Sequence, residues 1–254
     1  MPLSARYPSL AGVPVVISGG ATGIGAVLVR AFADQGASVG FVDINAEAGA
    51  ELAAEFVAQK VSFIPCDVTD IAAYRAAIAE FSTMHGTATV LINNAAHDER
   101  HDWSRVTPEE WDARINTNLR HAFFAIQAVA PGMIEAGRGS IINLGSISWM
   151  ILVPRLPLYQ TAKAAMHGLT RSMARELGRH RIRVNTLVPG WVMTERQLEH
   201  WVDDEAEALI DNSQALQDRV LPADIAAMAL FLAAEDSAMI SGQHFTVDGG
   251  WANT

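Results

Sequence analysis

The chain of 254 residues holds a single cysteine, Cys66, so no internal disulfide can form. That fits a reducing compartment and makes a cytoplasmic location the expectation. Basic residues are also scarce: 18 Lys and Arg stand against 28 Asp and Glu, for a net charge of −10. They form no run anywhere, so the footprint of a nucleic-acid binder is missing, and an anionic membrane would repel this surface. Charge as a whole is sparse, at 18% of residues, while half are hydrophobic. A disordered chain would show the reverse.

A smooth apolar run is lacking too. Tyr7 to Val29 carries no charge for 23 residues, long enough to span a bilayer. Pro8, Pro14, Gly12, Gly19, Gly20, Gly23 and Gly25 interrupt it, and only Arg6 precedes it, which is not the start of a signal peptide. It reads as strand, tight turn and helix start. Gly139 to Pro154 is also uncharged, but it is short and polar at its centre. No targeting or spanning segment is expected.

What is present is a rhythm. Apolar, β-branched runs predict strands at Val13–Ser18, Ser38–Asp43, Val61–Cys66, Thr89–Asn93, Ser140–Gly145, Arg183–Val188 and His244–Val247. Helical patterns alternate with them at Gly23–Gln35, Ala46–Gln59, Ile71–Met84, Pro108–Val129, Leu158–Gly178 and Ala223–Ala234. Such alternation predicts an α/β fold with a parallel sheet covered on both faces. No linker, repeat or composition break divides the chain, so one domain over 1–254 is expected. The acid-rich stretch 193–218 is too long for a simple connection and predicts a small helical insertion over a site.

Ser18-Gly19-Gly20-Ala21-Thr22-Gly23-Ile24-Gly25 joins the first strand to a helix. Glycines there let the backbone approach a pyrophosphate, and the helix N-terminus offers free N–H groups. Any strand-to-helix turn can use glycine, so context matters. Asp43 ends the second strand about twenty residues on, where a carboxylate accepts both ribose hydroxyls of NAD and repels the 2′-phosphate of NADP. No Arg or Lys lies in the turn or just after Asp43, so NAD is expected over NADP. The alternative for Asp43 is a cap on the helix after Asn45.

Tyr159 and Lys163 lie four apart, on one face of a helix. A nearby ammonium favours a phenolate, so the Tyr159 pKa is expected to fall. Ser146 lies thirteen residues upstream, just after a strand, where its hydroxyl could bind a substrate oxygen. The alternatives are an ordinary buried phenol and a turn serine.

Together with Asp67-Val68, Asn93-Asn94-Ala95, Asn118 and Pro189-Gly190, these residues make the chain resemble the short-chain dehydrogenase/reductase family over nearly its whole length. The resemblance implies a single-domain, Rossmann-type, doubly wound and mostly parallel seven-stranded sheet, and nicotinamide-linked oxidation or reduction. It implies Tyr159 as acid/base, Ser146 polarising the reacting oxygen, Lys163 on the nicotinamide ribose, and Asn118 holding a water in a proton relay. Gly19, Thr22, Gly23, Ile24 and Gly25 would cradle the cofactor. Asp67 and Val68 would meet its adenine, Asn94 the adenosine side, and Pro189, Val192 and Thr194 the carboxamide end. Three positions depart from the pattern: Ala96 for a glycine, Ser18 for a threonine and Gly145 for a serine.

His97-Asp98-Glu99-Arg100-His101 follows the fourth strand, five polar side chains suited to a polyhydroxylated substrate. Ser148 joins Ser146 there, and Trp149 and Trp191 could cover the C–H faces of a sugar; a solvated loop and core tryptophans are the alternatives. His97, Asp98 and His101 have no further ligand cluster to support a metal, and none is expected. Asp98–His101, Trp111–His121, Gln127–Met133 and Gly145–Trp149 further resemble the bacterial NAD-linked aldose (D-xylose-type) 1-dehydrogenases, which implies oxidation at the anomeric carbon to a lactone. Competing readings are a polyol or secondary-alcohol dehydrogenase, a 3-oxoacyl reductase, and a catalytically silent NAD-binding regulator. The last would have no need to keep Asn118, Ser146, Tyr159 and Lys163. The resemblance also implies a homotetramer or homodimer, paired through the long helices.

Overall fold

The computed structural model describes residues 3–252; the first and last two residues of the expected domain lie outside them. Seven strands form one sheet: β1 (Pro14–Ser18), β2 (Ser38–Asp43), β3 (Val61–Pro65), β4 (Val90–Asn93), β5 (Gly139–Leu144), β6 (Ile182–Pro189) and β7 (His244–Val247). Their order is β3-β2-β1-β4-β5-β6-β7, and every pairing is parallel. The mostly parallel sheet expected from the sequence is therefore parallel throughout the described residues.

Side chains alternate across this sheet. Val15, Ile17, Val90 and Ile92 join the apolar layer on one face, while Val16 and Leu91 join the layer on the other. The first layer is closed by α1 (Gly23–Asp34), α2 (Ala46–Ala54) and, late in the chain, a helix over Pro222–Ala233. The second is closed by α3 (Ile71–His85) and the helices that follow β4 and β5. Asn45 and Asp70 cap α2 and α3 by accepting from Ala48 N–H and Ala73 N–H. α2 stops five residues short of the expected Gln59, because the chain must turn back to start β3, and Val57 faces solvent there.

The helix expected over Pro108–Val129 is two: α4 (Pro108–Ile115) and α5 (His121–Ala136), joined by a π turn at Asn116–Arg120. Then come α6 (Pro157–Leu177), the insertion helices α7 (Glu195–His200) and α8 (Asp204–Ser213), and α9 (Pro222–Ala233). The sheet order reverses between β1 and β4. At such a point the connections leave in opposite directions, and a crevice opens beyond the carboxyl ends of the strands.

Candidate active site

That crevice is a cleft of about 1340 Å³. At one end, Gly19 and Gly23 take positive φ angles of +66° and +54°, which glycine adopts at little cost. A side chain on Gly25 would place its Cβ 1.8 Å from the Gly19 carbonyl oxygen. Position 25 is thus closed to anything but glycine. Thr22 precedes α1 without capping it through its side chain, and the first turn carries no acid. The leading N–H groups keep the positive end of the helix dipole free for a phosphate.

Ser18 Oγ accepts from both Asn94 N–H and Ala95 N–H at 3.1 Å, so the hydroxyl ties β1 to the chain leaving β4. Asn94 Nδ2 donates back to the Ser18 and Gly19 carbonyls at 3.1 and 2.7 Å. Asp43 accepts from Ala21 N–H at 3.0 Å and Asn45 N–H at 2.9 Å. The cap on α2 is Asn45, so Asp43 is not that cap. Asp67 accepts from the Thr69 N–H and hydroxyl at 2.8 Å. Among the described residues no Arg or Lys lines the cleft beside Asp43; Arg100, Lys163 and Arg196 belong to its other end.

At that other end α6 presents Tyr159 and Lys163 one turn apart. A buried polar chain sets the helix against the sheet. Asn93 Nδ2 donates to Asn143 Oδ1 at 2.8 Å, Asn143 Nδ2 to Thr170 at 2.9 Å, and the Thr186 hydroxyl to Thr170 at 2.8 Å. The sequence reading quoted Asn93 in its motif but missed Asn143, Thr170 and Thr186; polar residues inside apolar elements were the available signal. Lys163 is 1% exposed and donates to the Leu144 carbonyl at 2.8 Å. Burial drops its pKa to about 8, against an opposing pull from Asp98. Ser146 accepts from Ser148 N–H, and its hydroxyl donates to Ser148 Oγ, both at 3.1 Å.

Above them the loop after β4 meets the insertion. Gln197 Nε2 donates to Asp98 Oδ2 at 2.8 Å, and Trp191 Nε1 donates to Gln197 Oε1 at 3.0 Å. Arg196 stands 3.4 Å from Asp98, and the Arg100 guanidinium lies 3.7 Å over the Trp201 ring. Arg196, Gln197 and Trp201 carried no individual role in the sequence reading, and Asp98 counted only as one of five polar loop side chains, because their partners lie about a hundred residues away.

A family model described as enoyl-(acyl carrier protein) reductase matches residues 19–252. D-xylose 1-dehydrogenase of Caulobacter vibrioides is 48% identical over 250 residues, 98% of this chain and 99% of that one. The probable galactose dehydrogenase GalD of Rhizobium meliloti is 44% identical, with 97% and 98% covered. The chain belongs to the short-chain dehydrogenase/reductase family. Among solved family members, a Brucella melitensis 3-oxoacyl-[acyl-carrier protein] reductase superposes with TM-score 0.90 at 31% identity, covering 100% of this chain and 99% of its own. A Burkholderia cenocepacia gluconate 5-dehydrogenase in complex with NADP and tartrate gives 0.90 at 31% identity, with 97% and 98% covered.

Most residues singled out in the sequence line this cleft, from Gly19 and Asp43 through Asp67, Val68 and Asn94 to Ser146, Ser148, Tyr159, Pro189, Trp191, Val192 and Thr194. His97 and Arg100 line it as well. Two expectations need correction, on Trp149 and on the direction of the Tyr159 shift. Trp149 is not part of the lining; it packs edge-on against His167 with ring centroids 5.3 Å apart. Asn118 lies in the π turn, also outside the lining, and its side-chain amide is spent on His97 N–H, the His97 carbonyl and the Arg114 carbonyl at 2.8, 3.1 and 2.9 Å, so it fixes the loop after β4. The Tyr159 phenol is pushed up, not down: burial dominates, Asp98 adds to it, and only Ser146 opposes.

Among the described residues no group of three His, Cys, Asp or Glu is placed to hold a metal, and no helix is long and apolar enough to cross a membrane.

Proposed function

We propose that this dehydrogenase oxidises an aldose at C1 to a lactone with NAD⁺. The reading rests on one observation: Asp43 and the glycine turn stand at one end of a cleft whose other end holds Ser146, Tyr159 and Lys163. The likeness to two sugar dehydrogenases at 48% and 44% identity supports the substrate class.

The residues fit a dinucleotide. The backbone at 19–25 would take the pyrophosphate, Asp43 the adenosine ribose, Asp67 and Val68 the adenine, and Val192 and Thr194 the carboxamide end. When bound, NAD⁺ supplies the hydride acceptor. The chain's own residues supply the rest. Ser146 would hold the C1 oxygen, and Tyr159 would take its proton as the C1 hydride leaves and the C=O bond forms. Buried Lys163, one helical turn from Tyr159, would bind the nicotinamide ribose. With the Asn118 amide committed, any relay through this residue runs by its main-chain carbonyl.

The assembly implied by the resemblance, a homotetramer or homodimer, is supported by exposed Phe123 and Ile134 on α5; light scattering tests it. A cytoplasmic location belongs to the same reading.

The deciding assay follows absorbance at the reduced-nicotinamide band with NAD⁺ or NADP⁺ and a panel of aldoses, their alditols and secondary alcohols. Turnover of an aldose with NAD⁺, and not of its alditol, is expected. A second reading, reduction of an acyl-carrier substrate, is favoured by the family model and the Brucella neighbour. Turnover of a 3-oxoacyl or enoyl thioester alone, with NADPH, would replace the first reading with it.

A further inference from the structure

Among the described residues lining the cleft, carboxylates outnumber Lys and Arg seven to three. The three cations are already engaged. Lys163 is bound to the Leu144 carbonyl, Arg196 faces Asp98, and Arg100 is stacked on Trp201. Asp98 differs from the other acids in where it stands, on the loop after β4 at the point where it meets the insertion. Its charge reaches both Tyr159 and Lys163.

Asp98 is also under-used as an acceptor. Oδ2 takes one amide hydrogen from Gln197 at 2.8 Å, and Oδ1 meets Arg196 only at 3.4 Å. A carboxylate offers about four lone-pair sites, so room remains for two more donors. Its position is fixed, since Gln197 is itself held by Trp191 Nε1.

We propose that Asp98, clamped by Gln197 and Arg196, selects uncharged polyhydroxylated substrates over sugar acids. Neighbouring hydroxyls donate to its free lone pairs, whereas a substrate carboxylate brought to the same place meets a like charge with no unengaged cation beside it. Arg196 moderates this by partly neutralising Asp98. The acid formed when a lactone opens is rejected for the same reason, so it inhibits little. This inference rests on the proposed aldose oxidation and names the group that sets its substrate charge.

The test compares kcat/KM for two aldose and uronic-acid pairs, D-galactose with D-galacturonate and D-glucose with D-glucuronate, using NAD⁺. In Asp98→Asn the acid-to-neutral ratio should rise about 10- to 100-fold, mostly through KM, as expected when a charged hydrogen-bonding partner is removed. Asp98→Glu should restore the original preference. In Arg196→Gln the ratio should move the other way, which structural damage would not reproduce. An unchanged ratio in an Asp98→Asn enzyme that still binds NADH overturns the proposal, as does a wild type that oxidises the acid as well as the sugar. If Asp98→Asn does not fold, an unchanged ratio in Arg196→Gln overturns it. A wild type that turns over no neutral aldose removes the functional reading and the proposal with it, an outcome distinct from normal aldose turnover with unaltered ratios.

Discussion

At the β1–β2 end of the cleft, contacts run between backbone groups and short side chains close to strand ends. At the insertion end they run between long side chains, Asp98 to Gln197 across 99 residues, and Arg100 to Trp201. The first end is held by hydrogen bonds that the parallel sheet makes available wherever β1, β2 and β4 lie side by side. The second depends on two excursions from the sheet meeting over the strand ends. A rigid end suits a cofactor that keeps the same shape. An end made of side chains on loops can be re-specified without disturbing the sheet.

Substitutions at each end should therefore fail differently. The largest effect belongs to the chemistry between them. Tyr159→Phe should lower kcat by about 10²- to 10⁴-fold, the range for a lost acid/base, while NADH binding measured by fluorescence stays intact. Loss of NADH binding would show that Tyr159 supports the fold instead. Next comes the rigid end. Gly25→Ala forces a Cβ to 1.8 Å from the Gly19 carbonyl. The turn must shift, and the KM for NAD⁺ should rise about 10- to 100-fold, the equivalent of 1–3 kcal/mol of overpacking.

Asp43→Ala removes the acceptor for Ala21 N–H and Asn45 N–H. We expect about tenfold weaker NAD⁺ binding, with NADP⁺ hurt less, so that the ratio of the two KM values narrows. An unchanged ratio would separate Asp43 from cofactor choice.

A pH test probes the joint between the two ends. His121 is fully buried on α5 and bonded through Nε2 to the Ala95 carbonyl at 3.1 Å. Burial, aided by Lys163, drops its pKa from 6.5 to about 3. A depressed folded value means its contribution is whole above pH 6.5 and drains as pH falls toward 3. Wild-type stability should therefore decline over that window by about 1.4 kcal/mol per pH unit from this group, and His121→Gln should flatten the slope of Tm against pH. Equal slopes would mean that other groups dominate. The smallest effect is expected at Trp149, which lies off the cleft. Trp149→Phe should change kcat/KM less than about twofold, since substitutions away from a site are nearly silent. A larger loss would return Trp149 to the substrate wall.

The legible parts of the molecule were local. The boundaries of β2 match the sequence reading to the residue and β7 falls where a short strand was expected, because alternation and breakers act over a few positions. The glycine turn and Asp43 could be read because strand, turn, helix and next strand are contiguous. The π turn at Asn116–Arg120 could not, since an extra residue per turn leaves the helical pattern almost unaltered. Nor could the direction of the Tyr159 shift. Sequence spacing shows that Lys163 is near, but not that the phenol is buried beside Asp98.

By itself, then, the sequence determined the parallel α/β sheet, the glycine turn and the acid beside it, all products of short-range pattern and backbone sterics. Only the tertiary structure decided that Trp149 turns away, that the Asn118 amide is spent on the substrate loop, and that Gln197 and Arg196 fix Asp98. Those contacts join segments that no local periodicity relates, and burial and charge at a point depend on everything packed around it.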